Sequence, residues 1–198
     1  MKEFTNTNKH ENKIENFKLN PLVNPQYIDA SLATYRQDGI DKDWEIVKAH
    51  DSVSILIYHT QKDAFILVKQ FRPAVYLNND SGVTIELCAG IVDKEIPLIE
   101  IAREEIEEEC GFVVESKNIE RITSFHTSVG FAGSKQTLYY AEVDESMQIS
   151  NGGGIDDEQI EVIFLPFGEA KAFIYDESIA KTPGLMFAFM WYFDKIRN

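Results

Sequence analysis

The chain has 198 residues, 44% of them hydrophobic, and its 19 Lys plus Arg against 33 Asp plus Glu give a formal charge of −14. That composition suits one compact domain with a real core, and the negative charge repels phosphate backbones and anionic headgroups, which argues against nucleic-acid and membrane partners. No apolar run approaches the roughly 18 residues of a membrane helix, and the polar opening MKEFTNTNKHENKIENF offers no signal peptide, so a cytoplasmic location is expected.

Residues 1 to 20 are rich in Asn and Lys and read as a mobile polar arm. From Tyr27 onward, apolar and β-branched segments alternate with turn signals: 27 to 36, Asp38-Gly39, 43 to 49, 52 to 59, Gln61-Lys62-Asp63, 64 to 72, a polar loop through Asn78-Asn79-Asp80, and 82 to 89. Leu98 to Cys110 is the first long segment at helical period, stopped by Gly111. Segments 113 to 126 and 135 to 143 return to strand character. The run Gly152-Gly153-Gly154 reads as a flexible hinge ahead of a strand at 160 to 166, and helical stretches at 167 to 176 and 181 to 195 follow. The order predicts an α+β fold with a mixed sheet covered by helices. Cys88 and Cys110 are too few for a disulfide framework and read, like Trp44 and Trp191, as core residues.

The chemistry concentrates in LIEIAREEIEEECGF, residues 98 to 112, where six glutamates from Glu100 to Glu109 face a single Arg103. Like charges four apart each cost an isolated helix about 0.2–0.5 kcal/mol, so something must offset the repulsion. At about 100° per residue, Ile99, Ala102, Ile106 and Cys110 form a core stripe, Glu105, Glu108 and Glu109 share an adjoining arc, and Glu100, Glu104 and Glu107 point toward water. Three carboxylates at a core boundary are the oxygen ligands that Mg²⁺ or Mn²⁺ takes. The run Gly130-Phe131-Ala132-Gly133-Ser134-Lys135 lacks the spacing of a phosphate-binding P-loop.

With Gly90 placed 15 residues before Glu105, the segment from Gly90 to Phe112 resembles the Nudix box, GX5EX7REUXEEXGU, without a gap. Two positions depart: Ile96 stands for the first Glu and Glu104 for the Arg. Further stretches, Val68 to Ala74, Glu86 to Gly90, Ser128 to Thr137, Ile160-Glu161-Val162 and Lys181 to Gly184, are similar to the nucleoside diphosphate sugar hydrolases. Among these they resemble UDP-sugar pyrophosphatases more than ADP-ribose pyrophosphatases, whose Pro and Glu in the loop after the box are Val129 and Ser134 here.

The resemblance implies a Nudix fold, an α/β/α sandwich over 51 to 198, with N-terminal strands at 21 to 50 that form an antiparallel hairpin and pair the chain as a homodimer. It implies Mg²⁺-dependent hydrolysis of a nucleotide sugar to a nucleoside monophosphate and a sugar phosphate. Glu105, Glu108, Glu109 and the Ala89 carbonyl would hold metal, with Glu108 also counted as catalytic. Arg72, Glu86 and Lys135 would meet the substrate. A general base is expected from the loop 150 to 159: Glu158 first, Asp156 and Asp157 beside it, Glu161 in reserve. An ADP-ribose pyrophosphatase and a non-catalytic nucleotide-sugar sensor remain the alternatives.

Overall fold

In the computed structural model, which describes residues 5–7, 13–155 and 157–196, the strands form two sheets of different character. The first is a hairpin of β2 (Ile28–Gln37) and β3 (Ile40–Ala49). Its two-residue turn, Asp38-Gly39, takes φ of 50° and 83°, the left-handed pair that matches the twist of the flanking strands. The hairpin is exposed along nearly its whole length, and Leu32, Tyr35 and Trp44 stand in solvent, so Trp44 is not the core residue expected. It touches the main body through the loop after the eighth strand: Val47 N–H donates to the Phe131 carbonyl (2.8 Å) and Trp44 Nε1–H to that of Gly130 (2.7 Å).

Among the described residues the main sheet has eight strands. They are β1 (Thr5–Thr7), β4 (Ser52–His59), β5 (Ala64–Phe71), β6 (Val83–Glu86), β7 (Cys88–Ile91), β8 (Ile119–His126), β9 (Lys135–Val143) and β10 (Glu161–Pro166). The order is β1-β10-β5-β4-β9-β8, with β6 on β5 and β7 on β4; β4 and β9 run parallel and the other pairs antiparallel, a mixed sheet as predicted. Strand β4 is shared: Ile57–His59 pair with β5, while Ser52–Ile55 pair with β7. The far end of β5 pairs instead with β6, so the sheet forks around Leu87, and the expected strand 82 to 89 is two strands.

Alternation along the strands divides the core. On one face Val53, Ile55, Ile66, Val68 and Val162 pack against α2 (Leu98–Cys110). On the other, Leu56, Phe65, Leu67, Leu138 and Ile163 pack against α3 (Phe167–Ile174) and α4 (Pro183–Lys195). The result is the three-layer α/β/α arrangement. Among the described residues no helix is long and apolar enough to cross a membrane.

Two local expectations fail for identifiable reasons. Pro73, whose fixed φ suits a first helical turn, starts a short helix α1 (Pro73–Asn79), so the loop begins only at Asp80. The stretch 113 to 118 is occupied partly by a 3₁₀ turn, Ser116–Asn118, and β8 starts after it. Within the arm expected to be mobile, Thr5–Thr7 add to the edge of β10, whose outer backbone groups would otherwise lack partners.

The α3–α4 face is aromatic: the buried Phe65 ring lies 4.5 Å from Phe189, 4.9 Å from Tyr192 and 5.5 Å from Tyr58, centroid to centroid. Phe65→Ala should therefore lower the unfolding free energy in urea by about 3–5 kcal/mol, the usual cost of emptying such a site.

Candidate active site

The fork brings β7 beneath α2. Gly90 has no side chain, and the carboxylate of Glu105 lies against it: a Cβ on Gly90 would sit 1.9 Å from Glu105 Oε1. One residue back, the Ala89 N–H donates to Glu109 Oε2 at 2.9 Å, and Glu109 is only 5% exposed. The buried positions on α2 are Ile101, Ala102, Ile106, Glu109 and Cys110, with Ile99 only partly covered, so the core stripe is rotated slightly from the expected one. Cys88 and Cys110 are free and buried, as predicted.

Helix α2 ends at Gly111, whose φ of 80° lets its N–H reach the Glu107 carbonyl. Three further carbonyls at this end are met by the loop before β10: Gly153 N–H donates to Glu109 O (2.9 Å), Gly154 N–H to Glu108 O (3.1 Å) and Ile149 N–H to Gly111 O (2.9 Å). A Cβ on Gly152, at φ 64°, would lie 2.2 Å from Glu109 O. The glycine run is thus a close-packed cap and not the hinge expected, because helix-end carbonyls need donors and only glycine allows this approach. The cap returns Glu158 to the site, with its Oε2 accepting the Ile155 N–H at 3.0 Å.

The six glutamates divide into two sets. Arg103 pairs with Glu100 (3.1 Å), Glu107 (3.6 Å) and Glu104 (3.8 Å), Lys94 Nζ meets Glu104 at 2.6 Å, and Ser116 Oγ donates to Glu100 at 2.7 Å. The outward set is therefore partnered instead of simply solvated. Two of the inward set are raised: Glu105 to about 7 by burial, then by Glu108 and Glu158, and Glu109 to about 8 by burial, against the Ala89 N–H, with Glu105 and Glu158 adding to the rise. Glu158 thus acts on both.

Arg72 enters from the end of β5. Its Nε and Nη2 each donate to Glu86 at 2.8 Å, a two-pronged pair, and Thr84 Oγ1 donates to the same carboxylate. Burial alone would raise Glu86, but Arg72 and Thr84 together hold it below the ordinary carboxylate value. Arg72 is raised mainly by Glu86, with Glu109 and Glu158 contributing, so the guanidinium is within electrostatic reach of those two carboxylates. Glu161 is elsewhere: its register partner on β5 is Lys69, across from Ile85 of the α3–α4 core, and its buried carboxylate pairs with Lys69 Nζ at 2.9 Å. The reserve base thus faces away from α2. Lys135 is exposed at the start of β9, its N–H on Asp51 Oδ1 at 2.8 Å; the Asp51 carbonyl also accepts Val92 N–H, so Lys135 shares an end of the sheet with Gly90. Asp157 is exposed, and Asp156 lies outside the described residues.

Among the described residues no three His, Cys, Asp or Glu already stand in a metal-holding arrangement. The donor chemistry nonetheless fits a hard divalent cation: carboxylate oxygens, on two residues raised mainly by burial and by neighbouring carboxylates. The features that sequence reasoning missed are Lys94 and the capping role of the glycines. Neither carries a periodic signal, since both act across loops.

No family model matches the chain. The uridine diphosphate glucose pyrophosphatase NUDT14 of Bos taurus is 36% identical over 91% of this chain and 95% of its own length. That of Mus musculus is 35% identical over 93% and 96%. The chain belongs to the Nudix sugar-nucleotide hydrolases. GDP-mannose pyrophosphatases are related as well, that of Pectobacterium atrosepticum at 40% identity over 72% of each chain.

In this Nudix chain the inward carboxyls carry a definite pH signature. The folded value of Glu109, about 8, exceeds its ordinary 4.5, so its proton favours the folded state. That contribution is complete below about pH 4.5 and is lost as pH rises through 8. Glu109→Gln, permanently neutral and still able to accept the Ala89 N–H, should raise the metal-free Tm at pH 8.5 by at least about 3 °C. At pH 4.5 the two proteins should melt within about a degree of each other. Differential scanning calorimetry in EDTA decides it.

Proposed function

We propose that the chain hydrolyses the diphosphate of a nucleoside diphosphate sugar, with UDP-glucose type substrates preferred, to a nucleoside monophosphate and a sugar phosphate. The observation that carries this reading is the crowding of Glu105 against Gly90 and of Glu109 on the Ala89 N–H, with Arg72, held by Glu86, on the other side of the fork of the sheet. The names of the mammalian relatives support the substrate class.

Glu105 and Glu109, with Glu108 and the Ala89 carbonyl, would hold Mg²⁺ or Mn²⁺, which neutralises charge on the phosphoryl oxygens and lowers the pKa of water. Glu86 fixes Arg72 by two hydrogen bonds, so that its remaining N–H groups are oriented for a phosphate oxygen. Lys135 offers a second cation at the same end of the sheet. Glu158 has one oxygen on the Ile155 N–H and the other left to take a proton from the attacking water. The box glutamates would be committed to the metal, which leaves this role to Glu158.

The same reading assigns residues 21 to 50 to pairing of two copies and 51 to 198 to the hydrolase domain. An isolated hairpin is marginally stable, and this one exposes Leu32 (60%), Ile40 (62%) and Trp44 (56%), an apolar surface that a second copy would cover.

Glu158→Gln should lower kcat for UDP-glucose by about 10²–10⁴ with KM nearly unchanged. Glu161→Gln should instead act on stability, because it removes the charge that answers Lys69; a large fall in kcat with unchanged Tm would reassign the base. Profiling UDP-glucose, GDP-mannose and ADP-ribose by kcat/KM tests the substrate class, and a tenfold or greater preference for ADP-ribose, on the order of 1.4 kcal/mol, would overturn the UDP-sugar assignment.

Removing 1 to 50 should give an inactive monomer or aggregate by light scattering, whereas removing 1 to 20 should leave a dimer. A fully active monomer after the longer truncation would refute the pairing.

A further inference from the structure

Glu104 occupies the box position where the resemblance calls for arginine, and the cation that answers it comes from outside the helix. Lys94 lies in the irregular segment 92 to 97 between β7 and α2. That segment is tied at its start by Val92 N–H to Asp51 O (2.8 Å) and at its end by Pro97 O, which accepts Glu100 N–H (2.9 Å). Between those ties Lys94 Nζ meets Glu104 Oε2 at 2.6 Å, while Glu104 Oε1 faces Arg103 at 3.8 Å. Arg103 does not reach inward, being engaged with Glu100 and Glu107. Lys94 also acts electrostatically on Glu105 and Glu108.

The geometry points to Lys94 as a positioning residue: through Glu104 it fixes the 92 to 97 segment on α2 and so sets the carboxylate of Glu105 against Gly90. This rests on the proposed hydrolase reading. The contact it maintains has no slack, since Gly90 leaves less room beside Glu105 than one methyl group needs. An isolated exposed ion pair contributes little to stability. Here the pair is part of an Arg103–Glu104–Lys94 chain of charges, next to carboxylates that must stay crowded, so its effect falls on the site and not on Tm.

The test uses Lys94→Met, Glu104→Gln, the double variant, and the exchanged pair Lys94→Glu with Glu104→Lys. Mg²⁺ affinity is measured by titration calorimetry, and kcat and KM with UDP-glucose at saturating Mg²⁺. Simple charge effects predict opposite signs: losing the cation tightens Mg²⁺ and losing the anion weakens it. Positioning predicts that both single variants weaken Mg²⁺ about fivefold or more and lower kcat about tenfold with KM within about threefold, that the double is no worse than either single, and that the exchanged pair recovers most of the loss. Lys94→Met with unchanged or tighter Mg²⁺ binding, or an exchanged pair no better than its worse single, would overturn the assignment. A parent protein that binds Mg²⁺ but hydrolyses no nucleotide sugar would overturn the functional reading alone, because the calorimetric arm still decides the role of Lys94.

Discussion

The arrangement depends on one close approach, the carboxylate of Glu105 lying where Gly90 has no side chain. A strand and a helix can come this near only if one of them presents bare backbone, and the backbone presented here also supplies the N–H that holds Glu109. Two acids are thereby drawn out of water and crowded together, at a cost that appears as values pushed toward 7 and 8. A folded chain keeps such a cluster when another interaction offsets it, and a divalent cation is the simplest agent that can.

What keeps the cost local is the division of charge around α2. Arg103, Lys94 and Ser116 answer the outward glutamates, so the repulsion expected of this helix is confined to the arc facing the sheet. The fork in the sheet makes room for that arc. Because β4 leaves β5 for β7 and β5 leaves β4 for β6, Arg72 and Glu86 arrive on one side of the opening, and Ala89 and Gly90 on the other.

Much of this was legible in the sequence where the signal is periodic or gap-free. The bounds of α2, its stop at Gly111, strands 52 to 59 and 135 to 143, and the shared arc of Glu105, Glu108 and Glu109 follow from spacing alone. Contacts between segments distant in sequence were not legible. Trp44 reads as core by residue type, yet its ring is exposed and its N–H bonds to Gly130, because the hairpin stands apart from the sheet. Glu161 reads as a candidate base by proximity in sequence to Glu158, but strand alternation turns it to the opposite face, where Lys69 neutralises it. The glycines at 152 to 154 suggest freedom when read alone. Their role is visible only once the bare carbonyls of Glu108 and Glu109 are placed beside them.

That cap also governs where the chain can change in length. The hairpin tip at Asp38-Gly39 projects into open space, so residues added there would displace no atom of this chain's candidate site. The stretch from Ile149 to Glu158 has no such latitude. It is pinned at its start to the last turn of α2 and carries the proposed base at its end, so a single inserted or deleted residue would shift one against the other by roughly the 3.8 Å between successive Cα atoms, more than a hydrogen bond can follow. Among variants of this chain, insertions should collect at the hairpin tip and be excluded from the glycine loop, a pattern set by the geometry of a helix end.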